Sequence, residues 1–186
     1  MKNNLYYPQV SLSDKEIFAE IKKEREVIGY YSLPYVDTTV LKTRLDDLNF
    51  PQKQIAIIGI GGSTLGTYAI YNFMKYNKQH NKSLKKELFF FESTDPVNLN
   101  GTLAQLNLKD TLFIIISKSG TTIETISIFK YLMSITKIDK SNLLIITEDD
   151  SKLNTFARAN DINYFDIPKN VGGRFSVLSN VGLVPL

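Results

Sequence analysis

Ser117-Lys118-Ser119-Gly120-Thr121-Thr122-Ile123-Glu124-Thr125 is the stretch that decides how this chain folds. Before it stands Leu112-Phe113-Ile114-Ile115-Ile116, an unbroken apolar run of strand length and the pattern of a strand covered on both faces. After it, Ile126, Phe129 and Leu132-Met133 recur at the spacing of a helix's inner face. The order is therefore strand, hydroxyl-rich turn, helix. A helix start offers unpaired backbone N–H groups and a positive dipole end, which together favour an anion. The hydroxyls of Ser117, Ser119, Thr121 and Thr122, the cation of Lys118 and a glycine free to take positive φ all suit a phosphate. Ser and Thr also cap ordinary helices, but a cap uses only one hydroxyl.

Working outward, the same alternation repeats. Ile55-Ala56-Ile57-Ile58 is a short apolar strand, and Gly59-Ile60-Gly61-Gly62-Ser63-Thr64-Leu65-Gly66 is a glycine-rich turn opening a helix through Tyr76. Leu88-Phe89-Phe90-Phe91 makes a second strand, and Asp95-Pro96 starts a short helix through Leu106. The central strand follows, with its helix running to about Lys137. Leu143-Leu144-Ile145-Ile146 is a fourth strand, Ser151 to Ala159 a helix, and Tyr164-Phe165-Asp166-Ile167 a fifth strand. Strands alternating with helices at this spacing predict an α/β fold: a doubly wound, parallel, five-stranded sheet flanked by helices. Ligands of such sheets bind beyond the carboxyl ends of the strands, where both glycine-bearing turns sit.

The first fifty residues read as two preparatory helices that pack on this sheet. Ser13-Asp14-Lys15-Glu16 has the form of a capping box, Ile17, Ile21 and Ile28 share one face, and Gly29 ends the first helix. A second helix begins near Asp37, capped by Asp37 or Thr38, with Leu41, Leu45 and Leu48 inward. The predicted organisation is a helical segment over residues 1–50 and a ligand-binding domain over 51–186.

Composition narrows the function. In 186 residues, 43% are hydrophobic and 22% charged, an ordinary globular balance able to bury a core. The net charge of +3 is mild, and the densest basic run, Lys22-Lys23-Glu24-Arg25, is balanced by Glu20, Glu24 and Glu26, so nucleic acid is not indicated. No stretch reads as a membrane span or signal peptide. Without cysteine there is neither disulfide nor thiolate metal site, which fits the cytoplasm. His80, the single histidine, lies in the polar run Asn77-Lys78-Gln79-His80-Asn81-Lys82 and reads as a surface residue. Metal chemistry gets no support from these residues.

Two nucleotide motifs come close at the first turn and fail. Counted from Gly59, the last glycine of Gly-x-Gly-x-x-Gly is replaced by Thr64; counted from Gly61, Ser63 replaces the second. Glu92 ends the second strand where an acid can hold a ribose, which leaves a dinucleotide as the weaker alternative. Gly61 and Gly66 have the spacing of a nucleotide P-loop, but Thr67-Tyr68 stands where Lys-Ser or Lys-Thr is required. What remains is a pair of loops at one sheet edge, able to hold a small phosphorylated polyol. A third turn, Asn170-Val171-Gly172-Gly173-Arg174-Phe175-Ser176, sets two glycines before an arginine directly after the fifth strand. Glycine permits close backbone approach, and a guanidinium can stabilise a developing oxyanion. The bland reading is a tight turn bearing a surface arginine.

Together, Gly59-Ile60-Gly61-Gly62-Ser63, the Ser117–Thr125 stretch and Val171-Gly172-Gly173-Arg174-Phe175-Ser176-Val177-Leu178-Ser179 resemble the glucose-6-phosphate isomerase family, in its amino-terminal sugar-isomerase (SIS) domain. The resemblance covers Ile55 to the end of the chain. It implies interconversion of glucose 6-phosphate and fructose 6-phosphate through a cis-enediol, in glycolysis and gluconeogenesis, by a cytoplasmic homodimer when full length. It further implies that Ser117, Lys118, Ser119 and Thr122 hold the phosphate, with Thr121 in the same turn. Gly62, Ser63 and Gly173 approach the sugar, Arg174 stabilises the enediolate, and no metal or organic cofactor is implied. Members of that family are longer. Their second SIS domain supplies the glutamate base and the histidine and lysine tied to ring opening, and no position here matches those. Glu124 lies inside the phosphate-loop motif and is not that base. The expectation is a domain-length piece of an isomerase, inactive alone. The alternative within the same fold is a SIS module that senses a sugar phosphate without catalysis, for which an oxyanion-stabilising arginine has no use.

Overall fold

A computed structural model of the chain describes residues 13–77 and 85–186. His80 lies outside the described residues. Five strands form one parallel sheet: β1 (Gln54–Ile58), β2 (Glu87–Phe91), β3 (Thr111–Ile116), β4 (Leu143–Thr147) and β5 (Asn163–Asp166), in the order β2-β1-β3-β4-β5. The alternating helices are α3 (Leu65–Tyr76), α4 (Pro96–Leu103), α5 (Ile123–Ile135) and α6 (Lys152–Ala159). They follow α1 (Asp14–Glu24) and α2 (Thr39–Leu48), and a short α7 (Asn180–Leu183) comes last. This is the expected doubly wound α/β architecture.

Every residue of β3 is buried, because helices cover both faces of the central strand. Strand side chains alternate between the faces. Ala56, Ile58, Phe113, Ile115, Leu143 and Ile145 meet Leu99 of α4, Ile128, Phe129 and Leu132 of α5, and Leu153 and Ala157 of α6. Ile55, Ile57, Leu112, Ile114, Ile116, Leu144 and Ile146 form the opposite core with Tyr71 of α3, Val181 of α7 and, at its margin, Leu41, Leu45 and Leu48 of α2. The connection leaving β1 thus crosses one face and the connection leaving β3 crosses the other. These two strands are hydrogen-bonded neighbours, with Ile58 level with Ile115. Their carboxyl ends define the switch point of the sheet, where the following loops diverge and open a crevice.

The two amino-terminal helices behave differently. On α2, Asp37 is the capping group: its carboxylate accepts from the Thr39 N–H at 2.9 Å and the Thr39 hydroxyl at 2.6 Å, bonds that hold its pKa below the usual carboxylate value. On α1, the Glu16 carboxylate accepts from the Ser13 N–H at 2.7 Å and from the Ser13 hydroxyl at 2.8 Å. Yet α1 buries no residue and leaves Ile17 43% exposed, contrary to the expected apolar stripe. The helix ends at Glu24, a turn short of Ile28, so the three isoleucines do not share one helical face. Anchoring passes instead to buried Gly29, whose N–H donates to the Asn170 carbonyl at 2.9 Å.

Candidate functional site

Three turns converge beyond the carboxyl ends of β1, β3 and β5 and enclose a cleft of about 590 Å3. Gly62 and Ser63 come from the turn after β1, Lys118, Ser119 and Thr122 from the turn after β3, and Gly172, Gly173, Arg174 and Phe175 from the turn after β5. Ile60 and Glu148 complete its lining.

The β3 turn is shaped by its sequence. Gly120 has φ +66°, a left-handed conformation disfavoured for residues with a Cβ. A Cβ there would also lie 2.8 Å from the Ser151 side chain and 2.9 Å from the Leu153 nitrogen, so glycine is required twice over. Beneath the turn, the buried Thr147 hydroxyl donates to the Ser117 carbonyl at 2.7 Å, and Ser151, bonded to Thr147 at 2.7 Å, caps α6 by accepting from the Asn154 N–H. The Ser117 side chain is itself buried, 3.0 Å from the Thr122 hydroxyl, and stands under the cleft rather than in its wall. Ser119 is exposed and accepts from the Thr121 N–H at 3.3 Å and the Thr121 hydroxyl at 3.2 Å. Thr121 therefore supports Ser119 and does not line the cleft. Ser119 and Thr122 are the hydroxyls that do, at the start of α5. The first N–H groups of such a helix have no partner within the helix, and this one starts at the cleft.

The Lys118 side chain reaches across to the turn after β5. Its ammonium lies 2.8 Å from the Val171 carbonyl, 3.0 Å from the Lys169 carbonyl and 3.2 Å from Glu148 Oε1. Two carbonyls thus accept from it, and the Glu148 carboxylate pairs with its charge.

The β1 turn and the Gly-Gly-Arg turn touch backbone to backbone. A Cβ on Gly62 would stand 2.1 Å from the Gly173 carbonyl oxygen and 2.9 Å from the Arg174 nitrogen, so glycine at 62 is what lets the two turns meet. The Ser176 hydroxyl closes the second turn on the Gly173 carbonyl at 2.7 Å, and the Phe175 ring stacks against Tyr30 with centroids 4.8 Å apart. Arg174 is exposed, and among the described residues its guanidinium has no hydrogen-bond or ion-pair partner. A cation at the rim of a cleft that opens beside a helix start leaves the site electropositive and suited to an anion of modest size.

Of the residues singled out in the sequence, Gly62, Ser63, Lys118, Ser119, Thr122, Gly173 and Arg174 are brought to one cleft, whereas Ser117 is buried beneath it and exposed Thr121 does not line it. Glu148 is the lining residue that motif reading passes over. Its position immediately after β4, at the carboxyl edge of the sheet, is the signal that finds it. Glu92 lies elsewhere: it accepts from the buried Thr64 hydroxyl at 3.2 Å and lines a separate hollow with Ser93 and Asn98. Among the described residues no group of acids and histidines is arranged to hold a metal, and no helix is long and apolar enough to cross a membrane.

Residues 51–186 match the family model for phosphoglucose isomerase. A glucose-6-phosphate isomerase of Campylobacter jejuni is 39% identical, aligned over the whole of this chain and 47% of its own length. Among solved structures, a hypothetical protein of Thermus thermophilus superposes with a TM-score of 0.73 at 29% identity, covering 92% of this chain and 41% of that one. A glucose-6-phosphate isomerase of Chlamydia trachomatis superposes with a TM-score of 0.66 at 25% identity, covering 97% and 32%. The chain thus spans about half the length of the Campylobacter relative. Sequence match and superposed fold lead to one conclusion: the chain belongs to the phosphoglucose isomerase family.

Proposed function

We propose that this chain carries the phosphate-binding and enediolate-stabilising part of a glucose-6-phosphate isomerase, acting in glycolysis and gluconeogenesis in the cytoplasm as a homodimer. One observation carries the reading: hydroxyls at a helix start and an arginine without a partner among the described residues line a single cleft across a pair of glycine-spaced turns. Ser119 and Thr122, with the first N–H groups of α5, take the phosphate. Gly62, Ser63 and Gly173 let backbone lie along the sugar, and Arg174 meets the oxygen that gains charge as the enediolate forms. The chemistry is ring opening followed by proton transfer between adjacent carbons, and it requires a general base.

We place that base outside the described residues. Glu148 is engaged with Lys118, and Glu124 does not line the cleft. The 186-residue chain should therefore bind sugar phosphate weakly and turn over none, because about two to four decades of rate rest on such a group. Isomerase activity that follows the purified chain and disappears in Arg174→Ala is the result that overturns this placement. Ser119→Ala should weaken binding of inorganic phosphate about tenfold, the low end of the roughly 1.5–3 kcal/mol typical of a hydrogen bond to a charged group, since Ser119 is exposed. Titration followed by calorimetry reads it. An unchanged affinity would move the phosphate to another turn. Glu92, the acid that a ribose requires, is tied to Thr64 away from the cleft, which counts against a dinucleotide.

A further inference from the structure

We propose that Lys118 is a positioning residue, a latch oriented by Glu148 that holds the turn bearing Arg174, and that it is not a ligand of the phosphate. The proposal rests on the isomerase reading above and assigns a role within that same site. Lys118 leaves β3 beside Ser119, yet its ammonium reaches over to β5's turn, to the carbonyls of Lys169 and Val171. Val171 is buried and stands directly before Gly172-Gly173-Arg174. A bond to its carbonyl therefore fixes the root of the turn that carries the guanidinium. Lys118 also forms an ion pair with Glu148, which follows β4 and lines the cleft.

The frame under this pair is rigid. The Glu148 N–H donates to the Lys118 carbonyl at 3.2 Å, and the Thr147 hydroxyl donates to the neighbouring Ser117 carbonyl at 2.7 Å. The two loops are thus bonded to each other, and the side-chain pair spans from them to the third turn. Swinging Lys118 onto a phosphate would leave two carbonyls without their donor and the Glu148 carboxylate without its ion pair, and it would bring a bare carboxylate toward an anion. Glu148 has a clear use here: it neutralises Lys118 and aims it away from the phosphate. The net charge of the pair is zero, so the field that attracts the anion comes from the helix start and Arg174.

The charge-balanced double variant Lys118→Met with Glu148→Gln removes the latch and leaves the net charge of the cleft unchanged. In the full-length protein it should lower kcat about tenfold while KM for the sugar phosphate and the Kd for inorganic phosphate stay within about twofold. These are order-of-magnitude expectations for a displaced, not deleted, catalytic group. A phosphate Kd raised tenfold with kcat intact makes Lys118 a ligand and overturns the proposal. Thermal unfolding reports whether the double variant is folded. If it is not, Glu148→Gln alone keeps the side-chain shape and carries the test. A mis-aimed latch lowers kcat at constant KM, whereas a lysine released onto substrate lowers KM at constant kcat. If the wild-type protein shows no isomerase activity, the functional reading fails, but the phosphate affinity of the double variant still decides whether Lys118 is a ligand.

Discussion

Replacing Arg174 by alanine in the full-length protein should lower kcat on the order of a hundredfold or more and leave KM nearly unchanged. The asymmetry follows from where charge appears. Phosphate carries the same charge in substrate and transition state, so the groups that hold it set affinity. The enediolate oxygen becomes anionic only during proton transfer, so a cation aimed at it acts on turnover. Arg174 suits the second role because no other residue among those described competes for its guanidinium, and its backbone is held at Gly173, Phe175 and Ser176. A fixed root with a free head leaves the guanidinium able to meet the oxygen as its charge develops. Arg174→Lys should restore only part of the rate, since a compact ammonium does not reproduce the planar fork. Steady-state kinetics at saturating substrate, with Ser119→Ala alongside, makes the comparison. A steep rise in KM with kcat intact would make Arg174 a ground-state binding residue and remove its proposed role.

The sheet was legible because its signals are local. Five apolar runs alternate with helical periods, and buried parallel strands need no alternation of polar residues to be recognised, as β3 and β4 show. The three turns were legible for a similar reason: glycine and hydroxyl clusters at strand ends have few other uses. Side-chain direction was not legible. Lys118 sits in a loop motif among four hydroxyls, but its ammonium bonds to carbonyls 51 and 53 residues further along the chain. Glu148 was missed because nothing beside it marks Thr147-Glu148-Asp149-Asp150 as more than a solvated acidic turn. It gains meaning only when β4 is set beside β3. The same holds for α1. Its isoleucines have helical spacing, yet spacing does not say whether a surface waits for them, and the helix ends before Ile28 can join. Tyr30 was legible only as a connector residue. Its stacking on Phe175 braces the arginine turn from a distant part of the chain, a separation that no window of sequence covers.

The contact that most directly couples fold to chemistry is the one at Gly62, and Gly62→Ala should damage both. The added methyl would stand 2.1 Å from the Gly173 carbonyl oxygen, 2.5 Å from its carbon and 2.9 Å from the Arg174 nitrogen. All three are backbone atoms, so no side chain can rotate away to make room, and one turn must retreat from the other. Overpacking of this kind costs about 1–3 kcal/mol, and the melting temperature should fall by about 2–4 °C for each kcal/mol in a chain of this size. Turnover should suffer more than stability. Moving the Gly173–Arg174 backbone by about 1 Å carries the guanidinium off its target, and a misplacement of that size can cost about a hundredfold in rate. The effect should fall on kcat, as for Arg174→Ala, and combining the two changes should give little beyond either alone, because both remove the same interaction. Phosphate affinity should stay close to wild type, since Ser119 and Thr122 stand on a different turn. Calorimetric phosphate titration and thermal unfolding of the variant chains, with kinetics on the same single and double variants of the full-length protein, separate these effects. Full additivity of Gly62→Ala and Arg174→Ala in kcat would show that Gly62 acts independently of the arginine, and the coupling between the first and third turns would have to be abandoned.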